Sequence, residues 1–394
     1  MKNFEEFYNK NYKKMLLIPL IITFLAVIYI TFFYFQNGDL FYKDVSLTGG
    51  TTISIFSDAN VKELEKEILK EISNVDIRTI SDNSGKQIQI IVTIQEKDSE
   101  KAIEVIEKFL GFKLDDKNST IETTSSVLGK SFHAQLITAI ALAFFWMSAV
   151  VFLIFGNGRV LKTSIILLNL VLGIFLGKYS SMIISKPLLL ISFLILLIPW
   201  FLFFKVRKDK IDKIFSSIIL ILSFILFIFS FFNLIEKGFI LIFILLISLF
   251  LLTIYIRYSI PSFAVLFAAF SDVVFALAIA NLFGIKLSTA GIVAFLMLIG
   301  YSVDSDILLT TRVLKRKGSS INAELFSAFK TALTMSLTSI VAIGIALIFV
   351  YRFGTVLNQI FTILLIGLSF DIISTWFGNA SIIKWFLEKN EAHN

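Results

Sequence analysis

LSTAGIVAFLMLIGYSVDSDILLTTR, residues 287–312, is apolar enough to cross a membrane and yet carries Asp304 and Asp306 in its second half. An ionisable side chain in the hydrocarbon region costs at least about 2.5 kcal/mol on insertion scales, so acids retained there point to a working site. Composition extends the membrane reading to the whole chain. Its 394 residues are 57% apolar, with 43 Phe and only 16% charged residues, more than one soluble core can hide.

Runs of roughly 18 to 25 apolar residues read as spanning helices. Ten are expected, near 15–35, 135–156, 162–178, 187–205, 214–233, 238–256, 260–283, 287–310, 326–350 and 356–383. The first follows Lys10, Lys13 and Lys14 as a secretory signal would. Its apolar stretch is too long for such a signal and no small-residue cleavage site follows, so a retained anchor is expected. Basic residues in short loops set orientation. With the N-terminus cytoplasmic, Arg159, Lys162, the cluster from Lys205 to Lys213, Arg257, the cluster from Arg312 to Lys317 and Lys384 fall on the cytoplasmic side. Lys178, Lys186, Lys286 and Arg352 fall on the other. An even number of spans puts both termini in the cytoplasm. The formal charge of +7 is then a topology signal, and no soluble basic patch supports nucleic-acid binding. The absence of cysteine excludes disulfides, zinc thiolates and cysteine nucleophiles.

Residues 36–133, between the first two spans and outside the cytoplasm, mix charge with short apolar patterns and read as a small soluble domain. Alternation predicts strands at Thr51–Phe56, Asp76–Ile80, Gln87–Thr93 and Ser119–Thr124. An i, i+3, i+4 spacing predicts helices at Asn60–Ile72 and Ser99–Leu110. Asp58 or Asn60 would cap the first helix and Asp98 or Ser99 the second. The run at 81–85 supplies a hairpin turn. The resulting βαββαβ order is the ferredoxin-like pattern. Nothing in this domain points to catalysis.

Five motifs in order, LTGGT at 47–51, PSFAVLFAAFSD at 261–272, GYSVDSDILLTTRVLKR at 300–316, KTALTMSLTS at 330–339 and GLSFDIISTW at 367–376, resemble the SecF family, archaeal type. The resemblance implies a six-helix membrane core around one extracytoplasmic domain. The chain would divide into an anchor (1–35), the ferredoxin-like domain (36–133), a second core helix (134–156), an inserted four-helix bundle (157–257) and core helices three to six with a cytoplasmic C-terminus (258–394). An even insertion keeps every later helix in its orientation. Gly49, Gly50, Gly300, Tyr301 and Arg312 fall in the shared motifs as structural residues. Bacterial members resemble GYSVNDTVVVFDR at the fourth core span. An ungapped match sets Asp304 at their Asn, Ser305 at their Asp and Asp306 at their Thr, while Lys330 stands where they carry Arg.

Helix geometry tests whether these charges can meet. At about 1.5 Å per residue, Asp306 lies about 9 Å inside the cytoplasmic end near Arg312, and Lys330 about 6 Å inside the next span on that side. Asp304 and Asp306 sit about 200° apart around the axis, so one can face Lys330 while the other faces a different neighbour. Asp272 falls near mid-membrane and Asp371 in the cytoplasmic half of the last span. Asp272, Asp304, Asp306, Lys330 and Asp371 are thus a candidate proton or ion relay: four acids answered by one amine. Ala264, Ala268, Ala269, Gly291, Ala294 and Gly300 are expected to bring the third and fourth core spans close together.

No GxxxxGK[ST] phosphate loop is present, so work would draw on an ion gradient rather than on nucleotide hydrolysis by that route. The resemblance implies a non-enzymatic, cofactor-free subunit in the cytoplasmic membrane. Its partners would be a SecD-like subunit, the Sec translocon channel, exported polypeptides and membrane lipids, and its work late translocation. A purely structural translocon partner is one alternative. A small-molecule exporter of the wider resistance-nodulation-division superfamily is another, although such exporters carry two large extracytoplasmic domains. An intramembrane aspartyl protease would pair Asp272 with Asp304, but the GxGD signature is missing.

Overall fold

The structure, a computed structural model, describes residues 2–72, 75–81, 86–115, 117–179, 237–316, 320–350 and 356–392, together with scattered positions between 194 and 228. The spans expected at 187–205 and 214–233, most of the basic cluster at 205–213, the hairpin turn at 82–85, and Lys186, Lys317, Arg352 and His393 lie outside the described residues.

The chain starts with a helix that the span pattern did not announce, α1 (Lys2–Met15), before the first span, α2 (Leu17–Asn37). Tyr8 and Tyr12, four apart on one face of α1, are buried, whereas Glu6, Phe7, Lys10 and Lys13 are exposed. Gly38, at φ 74°, ends α2 in the left-handed conformation that glycine adopts without steric cost. Beyond it the Asp44 amide donates to the Leu287 carbonyl and the Leu287 amide to the Tyr42 carbonyl, reaching the loop between two later spans, and Ser46 Oγ accepts from the Thr289 amide at 3.2 Å. These bonds moor the soluble domain to the membrane bundle.

A single turn, α3 (Val45–Thr48), leads through Gly49 and Gly50 into β1 (Gly50–Ile55). The domain continues as α4 (Val61–Glu71), β2 (Val75–Ser81), β3 (Gln87–Ile94), α5 (Ser99–Leu110) and β4 (Ser119–Thr124). Its antiparallel sheet has the order β2-β3-β1-β4, with Ile53 opposite Val92 on one side and Ile121 on the other. Ile53, Ile55, Ile90, Val92 and Ile94 meet Leu64, Ile68, Ala102 and Ile106 in one apolar layer. This is the expected ferredoxin-like arrangement. Asn60 caps α4 by accepting from the Lys62 amide at 3.1 Å. Asp98 makes no side-chain cap for α5, because the 3-10 turn Glu96–Asp98 occupies that place and Ser99 Oγ bonds the Glu96 carbonyl.

The second span is longer than its apolar run. α6 (Ser126–Phe155) begins at the cap of Ser125, eight residues inside the stretch read as soluble domain. Its first turns lie against the Gly49–Gly50 link. A Cβ on Gly129 would stand 2.7 Å from the Gly49 nitrogen, so the glycines allow backbone to meet backbone there. His133 is half-buried on this helix beside the Phe41 ring. α7 (Arg159–Tyr179) and α8 (Lys237–Tyr258), the described helices of the stretch read as an insert, pack Phe175 on Phe243 and meet α6 through Phe152, Tyr255 and Ser148.

α9 (Ile260–Leu282) starts behind a Ser259 cap with Pro261 in its first turn and is the most enclosed of the described spans, with Ala264, Ala268, Ala269, Ala276 and Ala280 fully buried. α10 (Thr289–Leu314) crosses beside it, and α11 (Ile321–Val350) lies at the outside, exposing Val341, Ile345, Ile348 and Phe349. Of the small residues expected between α9 and α10, Ala264, Ala268, Ala269 and Ala294 are fully buried, whereas Gly291 lies against Gln359 of α12. Gly300 takes no part in the contact between the two spans. That glycine faces outward with nothing within 4 Å of where a Cβ would stand. α12 (Val356–Ile373) passes into a widened π-helical turn, Ser374–Asn379, and resumes as α13 (Ala380–Glu391). In that turn the Ala380 amide reaches the Thr375 carbonyl five residues back.

Candidate functional site

The four spans α9 to α12 enclose three carboxylates. Asp272 from α9, Asp306 from α10 and Asp371 from α12 are each no more than 1% exposed. Helix phase explains the choice on α10: Phe295, Ile299, Ser302, Asp306, Leu309 and Val313 form its inner stripe, whereas Val293, Met297, Tyr301 and Asp304 form its outer one.

Hydroxyls and one amide hold the acids. Ser302 and Ser374 each donate to Asp272, both at 2.5 Å. Ser305 and Ser336 approach Asp371 at 3.4 Å. Thr375 Oγ1 lies between the other two acids, 2.9 Å from Asp306 Oδ1 and 3.2 Å from Asp371 Oδ1, so it can donate to only one of them at a time. Asn379 Nδ2 donates to Asp306 Oδ1 at 2.8 Å and is tied on its other side to Thr310. Asp306 Oδ2 is buried without a hydrogen-bond partner.

Three of these holders, Ser374, Thr375 and Asn379, come from the π-helical turn. A regular α-helix spaces side chains 100° apart, and a π turn shifts that phase by one residue. The shift lets positions one, two and six of the segment all point at acids on α9, α10 and α12. Spans that break regular helix geometry do so where neighbouring groups re-satisfy the backbone, and often at working sites.

The remaining candidates stand elsewhere. Asp304 is exposed on the outer stripe of α10, and Lys330 is exposed on α11. Among the described residues no ion pair joins Lys330 to any carboxylate, and no Lys or Arg donates to Asp272, Asp306 or Asp371. The expected answer of one amine to four acids is thereby corrected: three acids converge without it. α11 turns Lys330 away because its buried positions, Leu325, Ala328, Ala332 and Ser336, fall on the opposite side, and Ser336 is its contribution to the cluster. Of the motif residues, Gly49 and Gly50 have positive φ, 81° and 153°. Tyr301 is 46% exposed beside Gly300, and Arg312 donates to Thr331 at 3.1 Å, joining α10 to α11 at one end.

A second polar cluster was not foreseen. Lys384, read as a topology marker, is 1% exposed. Its ammonium donates to Asn9 on α1 at 2.5 Å and to Asn322 on α11 at 2.8 Å, and stands 4.8 Å from the centre of the Tyr12 ring. Tyr8 donates to the Trp376 carbonyl at 3.1 Å and meets Ser381, while Tyr12 donates to Glu388 at 2.5 Å. The signal for this cluster was Tyr8 and Tyr12 at helical spacing among charges.

Eight described helices are long and apolar enough to cross a membrane, and one small antiparallel α+β domain interrupts them, so the chain is a multi-pass helical membrane protein. Residues 215–389 match the model of the family "Protein export membrane protein SecD/SecF, C-terminal". The chain is 49% identical over 135 residues to the protein-export membrane protein SecF of Methanothermobacter thermautotrophicus, covering 34% of this chain and 47% of that one. It is 45% identical over 161 residues to SecF of Methanocaldococcus jannaschii, covering 40% and 57%. To SecF of Pyrococcus furiosus it is 44% identical over 137 residues, covering 35% and 46%. The matched stretches therefore span about half the length of these relatives. Among solved structures, SecDF of Thermus thermophilus, described as a translocon-associated membrane protein, has a similar fold at TM-score 0.51 and 14% identity, over 96% of this chain and 38% of that one. Residues 215–389 are thus similar to the C-terminal region of SecD/SecF protein-export membrane proteins.

Proposed function

We propose that this protein is a SecF-like subunit of an accessory complex of the Sec translocon, assisting export of polypeptides across the cytoplasmic membrane and drawing on a proton gradient at Asp272, Asp306 and Asp371. The observation that carries this reading is the convergence of three buried carboxylates on four spans with no cationic side chain to answer them among the described residues. Burying unanswered negative charge is costly, so the cluster works only if positive charge comes and goes. Its layout favours a proton as that charge. Hydroxyls of Ser302, Ser374 and Thr375 bond the acids, and such hydrogen bonds are what a proton travels along. Thr375, able to donate to Asp306 or to Asp371 but not to both, is a two-position element that proton uptake would bias.

The outer stripe of α10 supports a SecD-like partner. Asp304 is exposed midway along an apolar face with Met297 and Tyr301, and a carboxylate so placed is costly against lipid. A partner helix with a hydrogen-bond donor at that depth would cover it. The loop charges favour cytoplasmic termini, which would put residues 36–133 outside the cell, where the ferredoxin-like domain can meet the emerging chain. Residues 157–257 would be an added side bundle against the second core span. Deleting the gene in its host tests the function: secreted precursors should accumulate, and a SecD-like subunit should co-purify with the tagged protein. Sensitivity to small toxic compounds without an export defect would refute the reading.

A further inference from the structure

The mechanism above uses the acids and the π-helical turn, and leaves α1 and the buried Tyr8 and Lys384 without a role. Tyr8 touches the acid-bearing segment itself. Its hydroxyl donates to the carbonyl of Trp376, the third residue of the π-helical turn, at 3.1 Å, and its ring packs edge-on against Phe326 of α11. The residues on both sides of Trp376 in that turn, Thr375 and Asn379, are the ones that hold Asp306. Lys384, one turn further on, pins the same stretch of α1 through Asn9 while also bonding Asn322. A π turn strains its neighbourhood and persists only where surrounding contacts fix it. α1 supplies such a contact from outside the six spans.

We propose that Tyr8 is a positioning residue: its hydroxyl fixes the π-helical turn so that Ser374, Thr375 and Asn379 face the three acids, making α1 a latch on the proton site. This rests on the acid cluster being the working site, and it adds that the latch sits on an element outside the membrane bundle proper. Movement of α1 would then alter how the acids are held, without any change at the acids themselves.

The test compares Tyr8→Phe with Tyr12→Phe in the full-length protein. Each loses one hydroxyl from the same face of α1, but the Tyr12 hydroxyl bonds Glu388 at the far end of α13. Hydrogen exchange of the backbone amides at 374–380 and export in cells are both read, together with recovery of the complex. Tyr8→Phe should speed exchange in that segment about tenfold, the equivalent of about 1.4 kcal/mol, and lower export while the complex is recovered intact. Tyr12→Phe should leave the segment's exchange unchanged. Unchanged exchange in Tyr8→Phe overturns the proposal, and so does equal acceleration by both variants, which would make α1 a general prop. Faster exchange with normal export overturns the coupling to function. The exchange arm stands whether or not the protein acts in export, so failure of the latch and failure of the export reading are told apart.

Discussion

Asn379 and Asp306 offer the sharpest energetic test of the site. Asn379 Nδ2 donates to Asp306 Oδ1 at 2.8 Å and to the Asp306 carbonyl at 3.3 Å, and both residues are fully buried. Replacing Asn379 by Leu keeps the volume near its native value but leaves Asp306 with Thr375 as its one remaining donor, since Oδ2 has none. A buried hydrogen bond to an acid is worth about 1.5–3 kcal/mol, and stranding its partner costs the desolvation of that group. Asn379→Leu should therefore destabilise the protein by about 2–3 kcal/mol. Asp306→Leu takes the carboxylate from Asn379 in turn, which keeps Thr310 and the backbone carbonyl of position 306. Removing both partners leaves neither stranded, so the double variant should be more stable than the two single effects predict, by about 1.5–3 kcal/mol. Reversible unfolding in mixed detergent micelles measures all four proteins of the cycle. Additivity within about 0.5 kcal/mol would mean that the two side chains do not interact, and the described site would be wrong.

Lys384→Met should destabilise the protein by about 2 kcal/mol or more by stranding Asn9 and Asn322, whereas Lys330→Met on an exposed face should stay within about 0.5 kcal/mol, in the same unfolding assay. Gly129→Ala should cost about 1–3 kcal/mol because its methyl group would meet the Gly49 backbone, while Gly300→Ala, into open space, should be neutral or slightly stabilising, as thermal denaturation would show. The chain has no cysteine, so a single one at Lys66 or at Lys315 reports sidedness: a membrane-impermeant thiol reagent added to whole cells should label the first and spare the second.

Much of this architecture was legible in the sequence because its signals are local. Alternation and helical spacing placed the four strands and two helices of the soluble domain to within a residue or two, and apolar runs located each described span. The site was legible only in part. Asp304 and Asp306 lie two apart on one helix, so just one can face inward, and composition at the two positions is the same. The inner stripe from Phe295 through Ser302 to Val313 carried the answer, since Asp306 continues it and Asp304 does not. Lys330 was paired with the acids on depth alone, and depth says nothing of rotation about the axis: Ala328, Ala332 and Ser336 claim the buried side of α11. The π-helical turn had no sequence signal, because it depends on contacts that α9, α10 and α1 make with it. Lys384 was read as a marker of the cytoplasmic side, a reading that holds for a lysine in a loop. Here it is one turn inside a helix whose neighbours offer two amide oxygens.

Replacement of the acids one at a time tests the central claim most directly. Asp272→Asn, Asp306→Asn and Asp371→Asn are each placed in the native host, and export of a signal-bearing reporter is scored beside recovery of the complex with its SecD-like partner. Each should lower export about tenfold or more with the complex intact, and Lys330→Met should leave export unchanged. Normal export from all three acid variants, or a loss confined to Lys330→Met, would contradict the account.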